Sequence, residues 1–290
     1  MAFPIIDAHQ HIWDKSKAEY SWLTPEFGEL DRVFEIDELL PQLSNLDIEF
    51  TVLVQSADNH EDTQLMRRCA NLHPQVSAIV GYVPLERPEE AAETLASWRG
   101  DDLMVGVRNL IHNQPDPKWL LRSDVNEGLG ILSSYGYSFD VVSVLPEQLG
   151  CIPVISERHP NLRMVVDHLS KPPIGLDDAS EWKALMRDVA QNPLVYGKVS
   201  GLYSATNDPA AWTTDLVRPY FDFALEVFGP ERLMYGGDWP IALLAGGYTR
   251  VWNGLQPLIN SLSPDDRESI LGRTAFEFYQ ISGSRLGIDS

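Results

Sequence analysis

Histidine and carboxylate side chains recur in this sequence at places where they could be brought to one oxygen or one metal ion. His9 and His11 stand in PIIDAHQHIW. If that run is a strand, side chains alternate with period two, so the two imidazoles share a side and can bite one ion or one polarised oxygen. The plainer reading is an incidental polar pair. Asp238 stands in MYGGDWP, where two glycines permit close backbone approach and a proline stops the run. A carboxylate there is poised for chemistry, or caps the next helix. His168 in VVDHLSKPP reads as a further site residue or as a buried imidazole bonded to Asp167 or a carbonyl. Arg108 and Lys198 end apolar runs, and a buried cation needs an anionic partner in the substrate or in the protein, such as Asp140 or Asp238.

For such scattered residues to act together, one architecture must bring them to a common place. Eight apolar or β-branched runs recur, at 4–9, 51–56, 78–83, 103–108, 137–142, 162–168, 195–200 and 232–238. Their continuous hydrophobicity suits strands buried on both faces of a parallel sheet. Eight stretches of helical period lie between and after them, at 36–46, 60–73, 87–99, 123–136, 146–159, 180–191, 212–229 and 248–260. This alternation predicts an α/β fold, a single (β/α)8 TIM barrel occupying 1–290 as one domain. No GxGxxG or GxxxxGK[ST] follows any run, so open sheets built for dinucleotides or nucleoside triphosphates lose their usual support.

In a barrel, every residue at the carboxyl end of a strand faces one mouth. The expected ends are His9 and His11 for the first strand, Gln55 for the second, and Arg108 for the fourth with His112 just beyond. The sixth ends in His168, the seventh in Lys198 and Ser200, and the eighth in Asp238. The irregular stretch from Asp14 to Glu35 is expected to shape the site as a long loop. Trp13, Tyr20, Trp22, Tyr203 and Trp239 fall in loops at the same end, where aromatic faces suit the apolar faces of a sugar ring or simply pack the loops.

The 22 basic and 42 acidic residues leave a formal charge of −20, which disfavours nucleic-acid and anionic-membrane partners. Two cysteines 82 positions apart, Cys69 and Cys151, form no metal or disulfide pattern and read as reduced packing residues. The amino-terminal run lacks a basic leader, so a cytoplasmic location is the expectation.

Taken together, DAHQHIW, EYSWL, GVRN, VVDHLSKPP, GKVSGLY, FGPERLMYGGDWPIALLAGGY and TAFEFY resemble the amidohydrolase superfamily. The likeness is to its sugar-lactonase branch of L-fuconolactonase and L-rhamnonolactonase type, related to 2-pyrone-4,6-dicarboxylate hydrolase. It spans nearly the whole chain in the same order, departing where Gly237, Asn109 and Thr274 replace the common Ser, His and Asn. The resemblance implies hydrolysis of a lactone ring, with Asp238 taking the proton of the attacking water. His9, His11 and His168 would polarise the carbonyl or bind metal. The bridging lysine or glutamate of binuclear relatives is missing, since the fourth run ends in Arg108-Asn109. At most one divalent ion such as Zn remains, on His9, His11 and Asp238, with His168 a further donor; metal-independent catalysis is the equal alternative. Gln55, Arg108, His112, Lys198, Trp22, Tyr203 and Trp239 are the expected substrate contacts. Two cations at strand ends are few for a dicarboxylate, so a neutral sugar lactone is expected as the small-molecule partner. A metal-dependent decarboxylase of the same superfamily and a dicarboxylate lactone hydrolase are the alternatives, and the oligomeric state is left open.

Overall fold

A computed structural model of the chain describes residues 3–206 and 208–288, so Asn207 and the extreme ends of the expected 1–290 domain lie outside the described residues. Eight parallel strands pair in chain order, β1 to β8: Ile6–Gln10, Phe50–Val54, Val76–Gly81, Met104–Asn109, Ser138–Val141, Met164–Val166, Val195–Val199 and Leu233–Tyr235. Gln10 bridges in parallel to Trp239, which brings the chain beyond β8 back to β1 and makes the sheet a barrel. Between the strands run helices, among them His60–Leu72, Pro88–Ser97, Ser123–Tyr135, Ser180–Val189, Thr214–Phe228 and Tyr248–Ile259. Among the described residues no helix is long and apolar enough to cross a membrane.

The barrel has two cores. Ile6, Ala8, Val52, Val54, Ala78, Val80, Val105, Val165 and Met234 pack together with Ala275, Phe278 and Tyr279, so the helix Thr274–Tyr279 plugs the barrel at the end away from the mouth. The larger cluster fills the space between strands and helices. Along β7, Val195 and Val199 belong to that outer layer, and alternation turns Tyr196 and Lys198 toward the barrel axis. Along β5, Phe139 and Val141 do the same for Ser138 and Asp140.

Three expectations are corrected. The helical stretch 146–159 is two helices, Pro146–Leu149 and Cys151–Arg158, separated at Gly150. The stretch 36–46 is a short turn, Ile36–Glu38, followed by Leu40–Asn45, with Pro41 accommodated in the helix's first turn. β6 and β8 stop at Val166 and Tyr235, short of His168 and Asp238. Both of those residues have left-handed backbones, with φ of 54° and 56°, which no strand can accommodate.

Candidate active site

Asp238 is placed by backbone rather than by a strand. Its N–H donates to the carbonyl of His9 at 2.8 Å, the Gly237 N–H donates to both oxygens of Asp7 at 3.0 Å, and the Trp239 N–H donates to Gln10 Oε1 at 2.8 Å. The loop after β8 is thereby lashed to β1. The glycines are required because a Cβ on Gly236 would stand 2.6 Å from His9 Cβ, and one on Gly237 would stand 2.1 Å from the Tyr248 ring.

Around the Asp238 carboxylate lie the three expected histidines. Oδ1 is 3.5 Å from His11 Nε2 and 3.9 Å from His9 Nε2, while Oδ2 accepts the Tyr203 hydroxyl at 3.0 Å. The rings of His9 and His168 are 4.6 Å apart, and His168 Nδ1 meets Ser200 Oγ at 2.8 Å. The network assigns the tautomers. His11 Nδ1 contacts the Val54 carbonyl at 2.7 Å; that oxygen only accepts, so Nδ1 holds the proton and Nε2 the lone pair. His9 Nε2, 3.1 Å away, then donates to His11, and His9 Nδ1 accepts from the Lys198 ammonium at 3.0 Å. Arg108 Nη1 is 3.4 Å from His9 Nε2, but its shorter bond is to Asp167 Oδ2 at 3.1 Å.

Burial decides the protonation of the imidazoles. It lowers His168 to about 4, the nearby Asp238 and Asp167 opposing, and it lowers His112 to about 4 with help from Arg108. His9 is driven far below its ordinary value by burial and by Lys198. For Asp238, burial pushes the carboxyl upward, but His168, His11 and His9 outweigh it and hold the group well below the usual carboxylate range. Near neutral pH the Asp238 carboxylate therefore stands beside neutral imidazoles at His9 and His168.

A cavity of about 430 Å³ opens over these groups, lined by His11, Arg108, His112, His168 and Asp238 on its polar side and by Trp13, Trp22, Phe27, Leu30, Ile241 and Leu244 on its apolar side. The stretch from Asp14 to Glu35 supplies three of those apolar residues, Trp22, Phe27 and Leu30, the last two from the short helix Pro25–Leu30. Arg108, His112 and Trp22 are thus where substrate contacts were expected, although Arg108 is also ion-paired with Asp167.

Four expected contacts lie elsewhere. Lys198 is wholly buried beneath His9, held by Asp140 Oδ2 at 2.5 Å and Asp167 Oδ1 at 3.1 Å; the internal salt bridge prevails because β7 aims it down the barrel axis. Burial lifts the Asp140 carboxyl to about 6 against the pull of Lys198, and the Tyr279 hydroxyl of the plug donates to Asp140 at 2.8 Å. Gln55 is buried and donates to Asp58 Oδ1 at 2.9 Å and to the Arg108 carbonyl at 2.8 Å, stitching β2 to β4. Tyr203 is occupied by Asp238. Trp239 packs on Phe34 with ring centroids 5.4 Å apart. Tyr20 is also spent internally, on Asp62 at 2.8 Å. Lys171 lines the cavity and was missed, because KPP after a strand reads as a loop; its place three residues beyond His168 was the available signal.

The donor set suits one metal ion. His9, His168 and Asp238 each offer a ligand atom, all within 4.8 Å of one another, and among the described residues this is the one such group. His168 thus replaces His11 in the expected trio, although His11 presents its lone pair at the edge of the group. Holding an ion through His9 Nε2 needs the proton on Nδ1, where Asp167 Oδ1, 3.4 Å away, can accept it, the usual second partner of a ligating histidine.

The family model described as Amidohydrolase matches residues 6–281. An L-fucono-1,5-lactonase of Burkholderia ambifaria is 32% identical over 95% of this chain and 95% of its own, and one of Burkholderia multivorans is 31% identical over 95% and 96%. The crystal structure of a Burkholderia multivorans amidohydrolase with bound zinc superposes with a TM-score of 0.88 at 30% identity, covering 96% of this chain and all of that one. Barrel, site and sequence agree: this chain belongs to the amidohydrolase family.

Proposed function

We propose that the protein is a lactonase that opens a sugar lactone, such as L-fucono-1,5-lactone, to its aldonic acid. The observation that carries the reading is the Asp238 carboxylate, kept ionised beside the neutral His9 and His168 imidazoles at the foot of a cavity, a setting suited to drawing a proton from water. The relatives' activity points to the substrate class. Water adds to the lactone carbonyl while Asp238 accepts one of its protons, the general-base step. His168, which lines the cavity and whose Nδ1 accepts from the Ser200 hydroxyl, polarises the carbonyl oxygen through its Nε2–H, a preorganised donor aimed at developing negative charge. When the carbon–oxygen bond of the ring breaks, the departing oxygen takes the proton back from Asp238.

A zinc ion held by His9, His168 and Asp238 would supply Lewis-acid polarisation and lower the pKa of bound water. Trp22, half-buried at the cavity wall, offers an aromatic face to the apolar face of the ring. The substrate is a neutral small molecule, and the unpaired Cys69 and Cys151 fit a reducing, cytoplasmic setting. A panel of aldonolactones assayed with a pH indicator tests the reading, since opening releases a proton. Acid release from a six-carbon or 6-deoxy lactone is expected; a clear preference for a dicarboxylate lactone, or carbon dioxide release from a carboxylated aromatic, would overturn it.

A further inference from the structure

From His168 to Lys171 the chain runs against the ordinary handedness of an L-polypeptide. His168, Leu169, Ser170 and Lys171 have φ of 54°, 48°, 57° and 44°: four successive non-glycine residues in the left-handed region, where each Cβ crowds the following carbonyl. Such strain persists only where the surroundings over-determine it. Here they do. Ser200 Oγ meets His168 Nδ1 at 2.8 Å, Trp182 Nε1 donates to the Leu169 carbonyl at 2.8 Å, and Ser143 Oγ donates to Ser170 Oγ at 2.8 Å. The Lys171 N–H closes the turn on the His168 carbonyl at 3.0 Å. The outcome is that both ends of the turn, His168 and Lys171, line the same cavity.

The charge at the far end has no internal use. Arg108 and Lys198 are each held by buried aspartates, whereas among the described residues no carboxylate stands in ion-pair contact with Lys171. That is notable in a chain with 42 acidic and 22 basic residues, where carboxylate partners are plentiful. The ammonium is also near enough to His112 and His168 to disfavour the charged form of both.

Opening a lactone changes the charge the cavity must accommodate. The ring carbon–oxygen bond breaks, a bond to the water oxygen forms, the departing oxygen keeps one proton and the acid gives the other to solvent. A neutral substrate becomes a carboxylate beside Asp238. Resting on the lactonase reading, we propose that Lys171 is the anion subsite of this cavity, pairing with the carboxylate of the ring-opened product and so discriminating a hydroxycarboxylate from a neutral polyol.

Calorimetric titration of L-fuconate, with the neutral polyol fucitol as control, tests this on the wild type and on Lys171→Met and Lys171→Arg. Wild type is expected to bind L-fuconate at least about tenfold more tightly than fucitol, as a charge-assisted contact provides. Lys171→Met should erase that margin and Lys171→Arg retain most of it, the latter showing that the turn still folds. Equal L-fuconate affinity in wild type and Lys171→Met, or no preference for L-fuconate in wild type, would overturn the subsite. Because calorimetry needs no turnover, a wild type that opens no lactone yet binds L-fuconate through Lys171 would overturn the lactonase reading alone.

Discussion

Asp238 holds its charge at a depth where burial by itself would discharge it, and the surrounding imidazoles and the Tyr203 hydroxyl are the reason. This makes it the residue whose loss should be felt most. Asparagine keeps its shape and loses its basicity, so Asp238→Asn is expected to lower kcat by a factor of about 10² to 10⁴, the usual range for a positioned general base. It should also reduce the uptake of a divalent ion added to the purified protein, measured by elemental analysis, because an amide is a poorer ligand than a carboxylate. A variant keeping more than about a tenth of wild-type kcat would move the base elsewhere, with His168 next in line. Lys198, by contrast, serves His9 from below. Its ammonium donates to two buried acceptors, His9 Nδ1 and Asp140, and pairs by charge with Asp167, and it does not line the cavity.

At the scale of elements, the site depends on two loops that leave strands early, and Asp7 is the clasp for one of them. It accepts from the Gly237 and His9 N–H groups, from Gln10 and from the Tyr248 hydroxyl at 2.6 Å. Burial without a cation raises its carboxyl to about 7, those donors opposing. The folded state therefore binds a proton more firmly than the unfolded chain does between about pH 4 and 7, and stability is lost as pH rises through that window. Asp7→Asn removes this loss. Its stability relative to wild type, from urea denaturation, should improve on the order of 2 kcal/mol between pH 5 and pH 8. A constant difference across that range would mean that Asp7 is ionised throughout. His168 and His112, lowered by burial, pull the other way: both forms should lose stability as pH falls from about 6.5 toward 4, where the unfolded imidazoles bind protons first.

For the whole molecule, the division into two cores separates stability from chemistry. The plug formed by Ala275, Phe278 and Tyr279 fills the barrel interior away from the mouth, and Tyr279 links it to the charges beneath His9 through its hydroxyl on Asp140 and its ring under the Lys198 ammonium. Phe278 is 1% exposed, so Phe278→Ala should leave a cavity and destabilise the protein by about 3–5 kcal/mol. The uptake of an added divalent ion by the folded variant should match wild type. A loss below about 1 kcal/mol would show that the barrel floor collapses to fill the gap.

The strand and helix alternation, the barrel, and the gathering of His9, His11, His168 and Asp238 at one mouth were all legible in the chain, because each rests on local periodicity and on the rule that parallel strand ends converge. Local patterns could not say where a side chain spends its hydrogen bonds. Lys198, Gln55, Tyr203 and Trp239 were expected as substrate contacts, yet their partners Asp140, Asp58, Asp238 and Phe34 come from other strands and loops, and only the packed barrel decides such pairings. The left-handed turn that delivers Lys171 is equally invisible. Four non-glycine residues adopt it only because Ser143, Trp182 and Ser200 hold it in place, and a strained conformation is set by the tertiary contacts that outweigh its intrinsic cost.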